Sequence, residues 1–335
     1  MPPKGHHVIP RLHLQHFAGP DPAGQVWTYD KLAGKCWSAI PEETAVQTHF
    51  YSAERDDGTM DTRLEDFLAG IESKAAPVYE GLLQGRIPGG TQERVDFAQF
   101  LALMYTRTTA MRRMAAQIRG RGAQIHSYAY ASNPETFETL TRRLEAEKGE
   151  ALDPAIKEKV RQEMLNPSGA YVMEVAQEST FMALAASDKL TPILYEMKWM
   201  LVKAQHGYFI TCDNPLVKQV DRKTLHAVYG DGGFINKTAE VTFPLSPKLL
   251  LLLSWGESTR DIGAFERGHV HAVNEVRSAY AERYLHAHLF DKRIEALAAK
   301  YKDSHPNMTT QGFGPENFAP IEVARRSKGK KTLKL

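Results

Sequence analysis

Near its start, the chain alternates between apolar and polar positions in the way that short strands do. Residues 26–29 are all β-branched or aromatic, residues 35–38 form a second short strand-like run, and the five residues between them end in Gly34. This pattern predicts a β-hairpin. A third strand is predicted around residues 49–51.

From Met60 onward the apolar residues recur every three or four positions, which is the spacing of one helix face. The first such stripe consists of Leu64, Phe67, Leu68, Ile71, Ala75, Val78 and Leu82. A second stripe runs from Val95 to Met114 and predicts one long helix that starts near Thr91. Further helices are predicted over residues 134–148, 154–165, 170–186 and 192–203.

Strand patterns return in the last third of the chain. The predicted strands cover residues 208–211, 216–220, 240–244 and 249–255. The unbroken apolar run over residues 249–253 indicates a strand buried on both faces, because a half-buried strand would alternate. A final helix is predicted over residues 266–290, with an extension to about residue 302.

Strands at both ends of the chain therefore bracket a run of helices. This order predicts a helix-rich α+β fold, in which N- and C-terminal strands share one mixed sheet around the central helices. Because no segment is rich enough in Pro, Gly or Ser to separate two halves, we predict a single compact domain over residues 1–322. Residues 323–335 contain lysines and arginines without a carboxylate and are predicted to form a basic, disordered tail.

The composition is that of a soluble globular protein, with 335 residues, 42% hydrophobic, 24% charged and a net charge of +2. Its two cysteines, Cys36 and Cys212, argue against a disulfide framework or a cysteine-based zinc site. The chain shows neither a signal-peptide pattern nor an apolar run that could span a bilayer. We therefore expect a cytoplasmic protein with no membrane partner.

The segment over residues 5–17 crowds four histidines, Arg11 and several large apolar residues into the start of the chain. Pro10 is predicted to open a helix there, whose free backbone N–H groups could receive a phosphate or carboxylate together with Arg11. His7 would then be the general acid or base, since histidine titrates near neutrality. The alternative is a buried structural histidine.

Arg107 lies within the second apolar stripe. A guanidinium keeps its proton, so a buried one needs a carboxylate or a bound anion. The alternatives are an ion pair with Glu72 or Glu65, or a side chain that reaches solvent. Glu65 and Glu72 share a helix face; paired carboxylates can bind a divalent metal or divide acid and base roles, but glutamates also flank many amphipathic helices.

Residues 213–215, Asp-Asn-Pro, follow directly after a predicted strand. Carboxylates at strand ends often face a crevice where a ligand binds. Asp and Asn also cap turns by bonding backbone N–H groups, so a turn is the competing interpretation.

The chain resembles an uncharacterised bacterial family known as domain of unknown function 4238. The residues that carry the resemblance are residues 7–11, Leu14, Phe17, Glu72, the helix of Arg107, residues 209–215, residues 244–247 and Asn274. It covers about residues 6–290, and many relatives have serine in place of Cys212. The resemblance implies candidate residues and no particular reaction.

Together these candidates predict a hydrolase that acts on a phosphate ester, nucleic acid included. Six residues fill three predicted roles: catalysis by His7, Asp213 and Asn214, substrate binding by Arg11 and Arg107, and metal binding by Glu72 and Asp213. The arginines would bind phosphate oxygens, a divalent ion such as Mg²⁺ or Mn²⁺ would activate water, and His7 would protonate the leaving group.

Two other hypotheses stay open. The same polar residues could form a non-catalytic structural network. The chain could instead bind nucleic acid through its tail and a group of arginines, Arg112, Arg113, Arg119 and Arg121, in which case affinity would fall steeply with salt. The sequence leaves the oligomeric state open.

Overall fold

A computed structural model describes residues 5–20, 23–48, 53–54, 60–61, 63–166, 171–174, 177–226, 230–256, 261–306 and 321–324. The chain contains two compact units, one formed by Met1–Met111 and Thr180–Pro306 and the other by Arg112–Ser179 and Asn307–Leu335. We describe each unit by itself, and the single domain over residues 1–322 stays a prediction.

The helices and strands alternate irregularly along the chain. The helices are α1 (Arg11–Leu14), α2 (Arg63–Leu83), α3 (Gln92–Thr106), α4 (Thr109–Ser132), α5 (Pro134–Lys148), α6 (Pro154–Leu165), α7 (Gln177–Glu196), α8 (Arg267–Tyr280) and α9 (Lys292–Lys300). The strands are β1 (Gly5–His7), β2 (Val26–Asp30), β3 (Lys35–Ala39), β4 (Val46–Thr48), β5 (Ala53–Glu54), β6 (Met60–Asp61), β7 (Tyr171–Glu174), β8 (Lys198–Ala204), β9 (Thr211–Cys212), β10 (Val217–Gln219), β11 (Glu240–Ser246), β12 (Leu249–Ser254), β13 (Ile262–Phe265), β14 (Tyr284–Ala287) and β15 (Ile321–Ala324).

The helix-rich α+β fold is confirmed, but its strands form two main sheets. One has the order β3-β2-β14-β9 and is antiparallel throughout, so N- and C-terminal strands do share a sheet. The other has the order β10-β11-β12-β8-β13, and in it β13 runs parallel to β8. The mixed sheet is therefore built from C-terminal strands alone and is distinct from the shared one.

Strand β12 confirms the prediction from the unbroken leucine run. It lies at the centre of the five-stranded sheet, between β11 and β8. Leu251 packs on one face with residues of α2 and α3, whereas Leu250 packs on the other face with Val270 of α8. Both faces are therefore covered, which is why the strand does not alternate.

The predicted hairpin is also confirmed as β2 and β3, with Gly34 at a φ of 62° in the turn. Helices α2, α5 and α6 lie where the apolar stripes placed them. The predicted strand at residues 49–51 and most of the basic tail, residues 325–335, lie outside the described residues.

The second stripe does not form one long helix. Helix α3 ends at Thr106, and Arg107 has a φ of −79° and a ψ of 0° at its C-terminus. The Thr108 hydroxyl accepts the backbone N–H of Met111 and so caps the start of α4. Arg107 consequently lies at a helix end, where its side chain meets other elements.

Three other predicted helices were wrong in part, because strand pairing overrides local periodicity. Residues 171–174 form β7, which pairs with β15, before α7 begins. Residues 198–204, predicted to continue a helix, form β8 between β12 and β13. The predicted helix over residues 266–290 is divided by β14, which pairs with β2 and β9.

Candidate functional site

The end of β1 is fixed by a buried ion pair. The Arg107 Nη1 donates to Glu72 Oε1 at 2.6 Å, and its Nη2 donates to the backbone oxygen of His7 at 2.7 Å. Only 4% of Arg107 is exposed. The ion pair with Glu72, one of the alternatives from the sequence, is therefore confirmed. The guanidinium positions His7, whereas its predicted phosphate-binding role stays untested.

The His7 imidazole is half-buried among these charges. Its Nδ1 is buried and has no hydrogen-bond partner among the described residues. The ring also hydrogen-bonds the backbone of Thr44, which leaves Nε2 as the nitrogen that makes this bond. The neutral ring with its proton on Nε2 carries its lone pair on Nδ1.

Burial lowers the pKa of His7 from its usual 6.5, and Arg107 and Arg11 lower it further. The Thr44 hydrogen bond and Glu72 oppose this change without reversing it. His7 is therefore neutral at pH 7. Such a group accepts a proton more readily than it donates one, so the geometry favours a base over the predicted acid.

Arg11 lies at the surface of the same cluster. It begins α1, forms an ion pair with Glu42 Oε1 at 3.2 Å, and its side chain is 60% exposed. Exposed pairs of this kind are weak, so the guanidinium can exchange Glu42 for an anionic ligand. Pro10 is the N-cap of α1 instead of its first residue, and a helix of four residues provides no N-terminal anion site on its own.

Asp213 belongs to a different cluster: it follows β9, and its carboxylate bonds the backbone of the turn between α8 and β14. Its Oδ1 accepts the backbone N–H of Glu282 at 2.8 Å, and its Oδ2 accepts those of Arg283 and Tyr284 at 2.7 and 2.9 Å. Burial raises the pKa of Asp213 from 3.8 to about 6, although the three N–H groups oppose the change. The carboxylate thus serves the turn, as the competing interpretation predicted.

Asn214, next to Asp213, bonds the last residue of α8. Its Nδ2 donates to the backbone oxygen of Tyr280 at 2.7 Å, and its own carbonyl accepts from the Cys212 thiol at 3.1 Å. Burial raises the pKa of Cys212 to about 12, so the thiol stays protonated. Cys212 is therefore an inert hydrogen-bond donor here.

The structure thus divides the six predicted site residues between two clusters. His7 interacts electrostatically with Arg11, Glu72 and Arg107. We call these four residues the His7 cluster. Asp213 and Asn214 instead follow β9 and bond the backbone at the end of α8 and in the α8–β14 turn.

The residues proposed as metal ligands do not fit a metal ion. The Glu72 carboxylate is held by Arg107, and both oxygens of Asp213 already accept backbone N–H groups. Across the described part of the chain, no group of three or more His, Cys, Asp or Glu side chains is placed to hold one. The predicted Mg²⁺ or Mn²⁺ site lacks a donor set, so we derive no step through a metal.

Sequence reasoning missed the buried histidine that joins several elements. His13 bonds the Tyr79 hydroxyl through Nδ1 at 2.9 Å and the Thr211 hydroxyl through Nε2 at 2.8 Å. Tyr79 donates in turn to the backbone oxygen of Leu245 at 2.8 Å. Its place in the sequence could have indicated that His13 is buried, since it precedes Leu14 and lies four residues before Phe17, and both of these are fully buried.

Comparison with known proteins identifies the family and leaves the activity open. The family model described as "Protein of unknown function (DUF4238)" matches residues 5–288, so the chain belongs to this family, as its opening and strand-end motifs suggested. No curated protein and no solved structure matches the chain. Among the helices that the structure describes, none has the length and apolar character needed to cross a membrane.

Proposed function

With membership in that family as the premise, we propose from the geometry of the His7 cluster that the protein hydrolyses a phosphate ester. His7 is the general base and Arg11 binds the phosphate. The observation that carries this proposal is the unpartnered, buried Nδ1 of His7 beside two guanidinium groups. An imidazole nitrogen without a partner keeps a lone pair that can accept a proton, and arginine suits a phosphate oxygen.

The reaction requires one proton transfer at His7. Nδ1 takes a proton from water as the water oxygen attacks phosphorus, and the bond from phosphorus to the leaving oxygen breaks. The leaving oxygen takes its proton from solvent, and Nδ1 later releases its own. Arg11 exchanges Glu42 for the phosphate and offsets the charge that develops on its oxygens.

Glu72 and Arg107 act as positioning residues in this scheme. Arg107 holds the backbone of His7, and Glu72 keeps Arg107 in place. Thr44 orients the ring so that Nδ1, and not Nε2, carries the lone pair. The base is therefore prepared before the substrate arrives.

Hydrolysis of bis(p-nitrophenyl) phosphate by wild type, His7→Ala and Arg11→Gln, with EDTA present, tests the proposal. We expect His7→Ala to lose about a hundredfold or more in kcat, the range for general base catalysis. We expect Arg11→Gln to raise KM. His206→Ala, an exposed histidine paired with Glu266, is the matched control and should behave as wild type.

Two results would contradict the proposal. One is a wild-type rate no higher than the blank. The other is a folded His7→Ala variant, checked by its melting temperature, that keeps full activity. Binding to nucleic acid that falls steeply with salt, is unchanged by Arg11→Gln and is accompanied by no hydrolysis would favour the non-catalytic alternative through the arginines of α4.

A further inference from the structure

An aromatic pair lies on the outermost strand of the four-stranded sheet. Trp37 is on β3, at the edge of the order β3-β2-β14-β9, and is 43% exposed. Its ring meets that of Tyr284 edge to face, with centroids 6.1 Å apart and planes at 83°. Burying an exposed tryptophan against a ligand is favourable, and a ring face accepts a flat aromatic group.

Cationic side chains surround this pair. Lys35 precedes Trp37 by two residues, so both project from the same face of β3. The Arg283 guanidinium lies 5.0 Å from the centroid of the Tyr284 ring and is fixed by Asp30, to whose Oδ2 it donates through Nη2 at 2.6 Å and Nε at 2.9 Å. Like charges disfavour a cationic ligand here. A ligand that combines flat rings with negative charge fits better, which is the chemistry of nucleotides.

The chain leads directly from this pair to the His7 cluster. Strand β3 ends at Ala39, and the next turn carries Glu42, the partner of Arg11. Glu42 follows Trp37 by five positions, so their backbones lie within about 17 Å of each other. A short stretch of single strand can span that distance.

We propose that the exposed Trp37 ring, packed edge to face against Tyr284, stacks a base of a single-stranded nucleic acid whose phosphate reaches Arg11 and His7. This inference rests on the proposed function and names its substrate class. Bases in a duplex are paired and stacked on one another, so the pair selects single strands. Sequence preference is weak, because every base presents a ring face to stack on.

Fluorescence anisotropy of a labelled twelve-nucleotide strand tests the inference, with DNA, RNA and duplex DNA of the same sequence as separate arms. We expect Trp37→Ala to weaken single-strand binding roughly tenfold, the loss of one stacked base. Trp37→Phe should keep most of the affinity. Phe67→Ala is the matched control, because Phe67 is an exposed aromatic residue on α2 and should not contribute.

Equal affinity of Trp37→Ala and wild type for single strands, or tighter binding of the duplex, would overturn the inference. Hydrolysis of the small phosphodiester by wild type is measured in parallel. If that hydrolysis occurs and Trp37 has no effect on oligonucleotides, the inference fails while the proposed function stands. If oligonucleotide binding depends on Trp37 but the ester is not hydrolysed, the proposed function fails instead.

Discussion

Charged neighbours distinguish His7 from the fully buried histidines of the fold. His13 has both ring nitrogens bonded, and burial lowers the pKa of His286 to about 3. Neither can exchange a proton with a substrate at neutral pH. His7 is instead half-buried and faces Glu72, Arg107 and Arg11.

This difference predicts a pH profile. A general base works when deprotonated, so kcat/KM should rise with pH through the pKa of His7 and level off above it. Because burial lowers that pKa below 6.5, the plateau should already be reached at pH 7. The measurement is log kcat/KM from pH 4.5 to 8.5. A rising limb centred at or above pH 6.5 would assign the base to another group.

Substitution of Asp213 should lower the stability of the folded protein. Asp213→Asn keeps the size but places an NH₂ group among three backbone donors, so at least one N–H loses its acceptor. We expect the free energy of unfolding at pH 7 to fall by about 2 kcal/mol. Asp221→Asn is the control, since this exposed N-cap keeps an acceptor oxygen and should change little.

The difference in the free energy of unfolding between wild type and Asp213→Asn should depend on pH with a definite sign. The pKa of Asp213 is raised from 3.8 to about 6, so between these values the folded protein holds a proton that the unfolded chain releases. The stability that this proton contributes is present at low pH and is lost as pH rises through about 6. Urea titrations should therefore show that the difference in the free energy of unfolding between wild type and Asp213→Asn becomes smaller from pH 4 to pH 7. A gap that widens would contradict the assignment.

At the scale of elements, the sequence pattern predicts a helix or strand correctly where strand pairing favours the same structure as the local periodicity. Strand β12 and the hairpin of β2 and β3 could be predicted without long-range information. An unbroken leucine run indicates burial on both faces, and a glycine between two short strands indicates a turn. The segment over residues 198–204 looked helical, since Leu201 continues the helix face of Leu194 and Met197. Its strand depends on β12 and β13, which follow far along the chain.

The same limit applies to the candidate site. The stripe position of Arg107 predicted a buried guanidinium, and Glu72 was one of two partners considered. Sequence spacing could not decide whether Asp213 would join His7, because that depends on how the turn after α8 folds. Lys31 gave no signal, since a lysine in a hairpin turn is expected to be solvated.

Lys31 is instead buried and connects the turn after β2 to the end of α8 and to the segment after α9. Its Nζ is buried and donates to the backbone oxygens of Ser278, Ala281 and Ser304 at 2.7, 2.8 and 2.8 Å. The first two lie at the C-terminal end of α8, where a helix leaves carbonyls without partners and favours a positive charge.

Lys31→Met should therefore destabilise the protein. Methionine fills similar volume but leaves three carbonyls without their donor, and we expect a loss of roughly 2–3 kcal/mol in the free energy of unfolding. Hydrogen exchange should show the last turn of α8 opening more readily. Lys292→Met, at an exposed position on α9, is the control. Equal stability of the two variants would mean that water replaces the ammonium group.

At the scale of the whole molecule, the apolar core is concentrated in one unit. The residues of the three buried hydrophobic clusters found in the described chain all belong to Met1–Met111 or Thr180–Pro306. The His7 cluster and the aromatic pair of Trp37 and Tyr284 lie within the same unit. Its stability should therefore depend little on Arg112–Ser179, although that segment interrupts it in sequence.

Replacing residues 115–176 by a Gly/Ser linker of about twelve residues tests this expectation. Such a linker has a typical end-to-end distance of roughly 20 Å, and each flanking helix keeps its part inside the first unit. We expect a protein that unfolds cooperatively and retains its near-ultraviolet circular dichroism, since the tertiary packing around Tyr79, Phe97 and Phe243 is preserved. The matched control replaces strand β8, residues 198–204, by a Gly/Ser linker of the same length, seven residues, and this protein should not fold. Failure of both proteins to fold would show that the two units form one cooperative structure, as the single predicted domain over residues 1–322 requires.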